Sequence, residues 1–209
     1  MAERIELDFY FDVSCRWAWW TSIWLRRVAK ERPISINWKV LSLAVQDNAD
    51  DYTKGRADHP QHVRDFQLHR PLVLARRQGG NDALDRLHVA YGNAIHGSKA
   101  DIWEAAVQAG CLAAAGLPAS LYDDALTDPS TETEVIAESR EALERGVLGT
   151  PAIAIAGTDA MLFGPIIGAV PSGPAALALW DSVHAALQTD YFFEIKRNRR
   201  TAHTAQFAD

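Results

Sequence analysis

The stretch DFYFDVSCRWAWWTS, Asp8–Ser22, decides how this chain is read. Its first half completes an alternating run, with Ile5, Leu7, Phe9 and Phe11 on one side and Glu6, Asp8 and Tyr10 on the other. That period of two predicts a β-strand over residues 5–12 with one better-buried face. A polar break over 12–16 carries Cys15. From Trp17 the period changes, because Trp20, Ile23, Trp24 and Val28 recur at helical spacing until Pro33 stops the helix after Arg32. Ile34, Ile36, Trp38 and Val40 mark a second strand over 34–43. Strand, helix and strand in this order form a βαβ unit.

The break places Cys15 at the mouth of the helix. Unpaired N–H groups and the partial positive charge there favour a thiolate, and Arg16 adds a full charge beside it. The position predicts a lowered thiol pKa and a nucleophile active near neutral pH. The competing reading is a small buried hydrophobe, a common fate of free cysteines. Trp17 and Trp19 are candidates for an aromatic wall against a planar substrate. Trp20 and Trp24 fit the core.

Beyond residue 45 the composition turns to Ala, Leu, Arg and Asp without a strand run. Helices are predicted over 62–78, 82–95, 99–115, 118–126 and 131–144, with Gly116 at a helix end and Pro118 at a helix start. Strand signals return at 152–156 and 160–163, joined by a turn at Gly157, Thr158 and Asp159, which makes a hairpin. A helix over 174–187 follows, striped by Ala176, Leu177, Trp180 and Val183. The organisation read from this is one α/β domain, residues 1–45 and 147–209, interrupted by an all-helical insertion over 46–146. Pro151, in Gly149-Thr150-Pro151, stands at a strand start, where a cis bond is frequent. A cis bond there would leave the Thr150 N–H and C=O open to an extended or thiol-bearing ligand; an ordinary strand-entry proline is the alternative. Pro165 shapes a turn.

Of the 209 residues, 48% are hydrophobic and 23% charged, enough for a real core. The net charge of −6 argues against a nucleic-acid partner, and the basic run Lys196, Arg197, Arg199, Arg200 reads as a solvated tail. No apolar run is long enough for a membrane helix, and the N-terminus reads straight into a strand rather than a secretion signal. Two cysteines, at 15 and 111, make no disulfide framework, so a reduced, cytoplasmic setting is expected. His59, His62 and His69 sit in a polar, mobile stretch without metal-ligand spacing, so no metal is expected. No glycine-rich phosphate loop follows a strand. Cys111 reads as helix packing. The oligomeric state is left open, a homodimer included.

These segments together resemble the DsbA-like branch of the thioredoxin superfamily, and more closely the mycothiol-dependent nitroreductase family of actinobacteria. The residues that carry the resemblance are Asp8–Ser22, LSLAV (Leu41–Val45), YGNAIHG (Tyr91–Gly97), GTPAI (Gly149–Ile153), FGP (Phe163–Pro165) and FFEIKR (Phe192–Arg197). The resemblance implies a thioredoxin fold with a helical insertion and a cleft between them. It implies mycothiol, or a similar low-molecular-weight thiol, as cofactor, and a small electrophile as substrate. By position it implies Cys15 as catalytic thiol with His96 as proton donor and Asn93 against the substrate; the residues themselves add Arg16, Trp17, Thr150 and Pro151 against the thiol cofactor and Trp19 against the substrate. For His96, a helix cap or a solvated side chain is the competing reading.

The family pattern Cys-Pro-Trp-Cys reads Cys15-Arg16-Trp17-Ala18 here. The resolving cysteine is absent, so no disulfide joins 15 to 18. Three readings follow: monothiol exchange through Cys15; an isomerase or S-transferase that activates a bound thiol, as in the hydroxychromene-carboxylate isomerases and kappa-type transferases, which carry serine at this position; or a binding protein that kept the groove and lost the chemistry.

Overall fold

The alternating run forms β1, Ile5–Phe11, in a computed structural model that describes residues 4–197. β2 (Ile34–Val40) pairs with it in parallel, Phe9 opposite Trp38. On the other side β3 (Ala152–Ile155) pairs antiparallel, Phe9 opposite Ile153, and β4 (Met161–Phe163) closes the hairpin. The strand order is β2-β1-β3-β4.

Both faces of β1 are covered, which corrects the one-sided expectation. Leu7, Phe9 and Phe11 are fully buried, and so, nearly, are Asp8 and Tyr10. The polar pair tolerates burial because Arg145 Nη1 reaches Asp8 Oδ2 at 3.0 Å and the Tyr10 hydroxyl at 2.6 Å. A buried charge needs such a partner. Each of the three apolar side chains contributes about 1.5–3 kcal/mol by leaving water.

α1 (Arg16–Ala29) starts at the end of the loop after β1 and lays Trp24 and Leu25 on the sheet. Trp24 Nε1 donates to Ala176 O at 3.0 Å, tying α1 to α8 (Gly173–Leu187). β2 ends three residues before the sequence predicts. Its continuation leaves the ladder because Leu43 N donates to Asp12 Oδ2 (2.7 Å) and Ser42 N to Ser139 Oγ (3.0 Å). The chain then turns into α2 (Leu43–Asp47).

Between β2 and β3 the ordered elements are helical: after α2 come α3 (Gln61–Asp65), α4 (His69–Gly92), α5 (Ala105–Ala114), α6 (Leu121–Thr127) and α7 (Pro129–Glu144). The predicted gap between helices at 78 and 82 is a kink inside α4, where Gly80 has φ +70°. α4 runs on into a π-helical turn, Asn93–Ser98, closed by Lys99 at φ 55°. Residues 99–104 are therefore not helical, against expectation, and α5 starts after Glu104. Pro118 likewise lies ahead of α6 rather than opening it. α7 begins at Pro129, and the Asp128 carboxylate caps it by accepting from Ser130 N (2.9 Å). Gly116, with φ +66°, terminates α5 as the sequence suggests.

The order β1-α1-β2, helical stretch, β3-β4-α8 is the DsbA-like form of the thioredoxin fold. Among the described residues no helix is long and apolar enough to cross a membrane. Lys196 is exposed and pairs with Glu194 at 2.8 Å; Arg199 and Arg200 lie outside the described residues.

Candidate active site

The loop from Asp12 to Cys15 carries the site. Asp12 is buried where β1 ends, and its carboxylate organises the turn. Oδ1 accepts from the Ser14 N–H (2.8 Å) and the Ser14 hydroxyl (2.7 Å), and Oδ2 from the Leu43 N–H. His69, the first residue of α4, lies 3.3 Å from Oδ2 and is fully buried. Its Nδ1 faces Phe66 O at 3.2 Å. Burial alone would raise the Asp12 pKa, but His69, the Leu43 N–H and Ser14 override it and hold the carboxyl at about 2. Burial alone would lower the His69 pKa, but the Asp12 charge and hydrogen bond, the Phe66 carbonyl and the Asp65 charge together raise it. The two side chains therefore stabilise each other beneath the loop, where His69 Nε2 also lies 3.4 Å from the Val13 N–H. The sequence reading had placed His69 in a polar, mobile stretch; its Leu72 and Val73 neighbours, both buried at helical spacing, were the signal for a buried face.

Cys15 is the residue that precedes the first turn of α1, with φ −77° and ψ 105°. It is half-buried, and its thiol donates to the Thr150 carbonyl at 3.6 Å. The Thr150–Pro151 bond is cis. The Thr150 carbonyl is thus engaged by the thiol rather than left open, as the sequence reading had it. The lowered thiol pKa is also corrected. Burial pushes the Cys15 thiol up, with the Asp12 charge adding to it, and the Thr150 side chain with the Ala18 and Trp17 N–H groups offsets this only in part. Arg16 is exposed, its guanidinium 5.1 Å from the Trp17 ring centroid.

Cys15 lines a groove of about 400 Å³. Arg16, Trp17 and Thr150 line it with Cys15, and so do Leu43, His62 and Asp65. Ser14 and Asp65 also line a second depression of about 250 Å³ that reaches Trp103, over whose ring Arg64 lies at 4.6 Å. The sequence brings His62 forward only as a metal ligand to be set aside, and it does not bring forward Asp65 or Trp103, because nothing local ties residues 62–65 or 103 to Cys15. Thr150 Oγ1 is buried with no hydrogen-bond partner among the described residues.

The remaining sequence candidates are spread over two layers. Trp17 borders the groove and meets Trp20 edge to face at 5.3 Å. Trp19 does not join it in a wall: it is buried, its ring packed on Gly92 and against His88 and His96. His96 Nε2 is 3.1 Å from the Val13 carbonyl, so the ring braces the loop two residues before Cys15. Burial lowers its pKa, which keeps the imidazole neutral and donating to that carbonyl. Asn93 is exposed on the π-helical turn. Ala18, in the place of a resolving cysteine, is fully buried. Cys111 is buried in α5, where its thiol donates to Ala90 O at 3.7 Å. Both cysteines are free thiols. Among the described residues no group of three or more His, Cys, Asp or Glu is placed to hold a metal ion.

A family model described as mycothiol-dependent nitroreductase Rv2466c matches residues 14–197. The chain belongs to this Rv2466c-like family. The match runs from the active loop to the end of the described residues, so it includes the groove and both flanks. Protein Rv2286c of Mycobacterium tuberculosis, itself uncharacterized, is 33% identical over 200 residues, 94% of this chain and 83% of that protein. Solved structures share the fold. A 2-hydroxychromene-2-carboxylate isomerase superposes with a TM-score of 0.62 at 18% identity over 88% of this chain and 96% of that one. The cytosolic disulfide reductase DsbM of Pseudomonas aeruginosa, solved with GSH, gives 0.56 at 15% over 88% and 98%. DsbA of Pseudomonas aeruginosa gives 0.51 at 16% over 90% and 88%. Membership of this family makes the chain a relative of mycothiol-dependent nitroreductases, and the solved structures show that it shares their fold.

Proposed function

We propose that the protein is a mycothiol-dependent oxidoreductase that reduces small electrophilic molecules through one thiol, Cys15, in a cytoplasmic setting. The observation that carries this reading is the Cys15 thiol, held by the Thr150 carbonyl at the mouth of α1 and opening onto a groove. The residues around it suit a polar thiol. The unpartnered Thr150 Oγ1 and the Ser14 hydroxyl offer hydrogen bonds beside the sulfur. Asp65 and the Trp103 face suit the hydroxyl-rich, sugar-bearing body of mycothiol. When bound, mycothiol would supply electrons, two molecules of it becoming one disulfide as two electrons and two protons pass to the acceptor. Cys15 offers its sulfur for a mixed disulfide with an incoming sulfur. The Ala18 and Trp17 N–H groups stabilise negative charge on it as its proton leaves. Arg16 and Trp17 border the entrance, and His96 and the Asp12–His69 pair keep the loop in place.

A second reading, a thiol-cofactor isomerase or S-transferase, draws on one observation. Burial keeps Cys15 in its thiol form, and a thiol can donate a hydrogen bond to a bound thiolate much as a serine hydroxyl would. One experiment separates them. The reduced protein is incubated with mycothiol disulfide and its intact mass measured. The oxidoreductase reading expects one adduct per chain, lost in Cys15→Ser. An unmodified wild-type chain, together with isomerisation or conjugation that survives Cys15→Ser, would replace it with the second reading. With neither adduct nor turnover, the protein is a binding module.

A further inference from the structure

His62, which lines the groove with Cys15, forms a dyad with Asp47 behind it. His62 Nδ1 is 2.7 Å from Asp47 Oδ2, and both side chains are largely buried. Arg56 holds the other carboxylate oxygen at 3.8 Å. A carboxylate at that distance accepts from Nδ1–H, which leaves Nε2 as the nitrogen that faces the bound molecule. Among the described residues Nε2 has no hydrogen-bond partner, and the ring lines the Cys15 groove. His59 stacks on the ring from outside at 5.1 Å, and Asp65, on the same short helix, borders the groove beside it.

We propose that His62 is the general acid of this site, giving its Nε2 proton to the atom of the bound molecule that gains electrons, with Asp47 as its positioning residue. The proposal rests on the reading of Cys15 as a nucleophilic thiol and extends it to a second residue of the same groove. In exchange with a disulfide, the Cys15 sulfur forms the new S–S bond as its proton passes to solvent. The old S–S bond breaks, and the leaving sulfur takes its electron pair and the Nε2 proton. The ring gives this proton as the imidazolium and regains it from solvent in the groove, so charge and electrons balance. An acid matters only where the leaving group is basic, because a low-pKa thiolate departs unaided.

The test compares two probes, hydroxyethyl disulfide, whose leaving alkyl thiolate is basic, and dithiobis-nitrobenzoate, whose aryl thiolate is not. His62→Asn keeps a donor toward Asp47 but has no exchangeable ring proton; His62→Ala removes both. Adduct formation at Cys15 with the alkyl disulfide is expected to slow about tenfold or more in each variant. The aryl disulfide and iodoacetamide are expected to react at the wild-type rate, and imidazole in the buffer to restore the alkyl reaction of His62→Ala. Equal slowing with both disulfides, without imidazole rescue, would show that the dyad merely props the wall. Wild-type rates with the alkyl disulfide in both variants would also overturn the proposal. If the wild-type protein forms no adduct with either probe, the monothiol reading itself fails, and the dyad's role fails with it.

Discussion

His69 lies 3.3 Å from Asp12 across the boundary between the sheet and the helices, and neither side chain is exposed beyond 2%. This contact joins the start of α4 to the loop that presents Cys15. Asp12 ionises at about 2 rather than the ordinary 3.8, so its contribution to stability is full above pH 3.8 and is lost as pH falls toward 2. That share is on the order of 2 kcal/mol. His69 is raised above 6.5, so its contribution is full below pH 6.5 and is lost as pH rises through the higher folded value. Thermal melts from acid to alkaline pH are expected to show both arms. Asp12→Asn should flatten the acid arm at a cost of about 3–5 kcal/mol, and His69→Gln the alkaline one. Unchanged slopes in both variants would show that the pair does not couple folding to protons.

The Cys15 thiol titrates above its ordinary value of 9.0, through burial first. Iodoacetamide at neutral pH is therefore expected to alkylate Cys15 of the free protein more slowly than it alkylates free cysteine, with the rate climbing into the alkaline range. Cys111, also raised by burial and without a groove, should react later still. Peptide mapping against time and pH measures both. A rate that has already reached its plateau at neutral pH would mean that the helix N-terminus outweighs burial.

Gly92 has no room for a side chain. A Cβ there would stand 2.2 Å from the Trp19 ring. Trp19 is enclosed by His88 and His96, so the ring cannot swing aside. Gly92→Ala is expected to cost at least about 1–3 kcal/mol, at about 2–4 °C of Tm per kcal/mol for a chain of this size. It should also loosen the His96 contact to Val13. Calorimetry of the variant decides this, and an unchanged Tm would contradict the packing.

Ala18 is one helical turn from Cys15, and its N–H points toward the Cys15 sulfur. Ala18→Cys is expected to restore a dithiol pair that closes on mild oxidation. Thiol counting and mapping of the oxidised protein would show one free cysteine, Cys111, and a linked 15–18 peptide. Two persistent free thiols at 15 and 18 would mean that the loop has moved away from the geometry of a redox pair.

The βαβ unit and the terminal hairpin were legible because their residues alternate or recur at fixed spacing and because Pro33 and Gly157 punctuate them. What stayed hidden depended on partners far along the chain. Nothing near Asp8 or Tyr10 announces Arg145, so β1 looked half-exposed. Nothing near His69 announces Asp12, so a fully buried imidazole read as part of a polar stretch. The same limit applies to the groove. Cys15 and Thr150 stood out through local motifs, whereas His62 comes to the groove, and Trp103 to the depression beside it, only by the packing of α3 and of the turn before α5. The sign of the Cys15 shift was misjudged for a related reason: the helix terminus is visible in sequence, but the desolvation opposing it is not.

The methyl group of Ala18 carries a kinetic consequence. A neighbouring sulfur would cut an adduct loose from within, at a rate indifferent to the surroundings. With a methyl in that place, whatever becomes joined to Cys15 waits for a visitor, and its lifetime varies inversely with how crowded the solution is with free thiols. Such a chain would stay loaded in a thiol-starved cell and clear itself in a replete one.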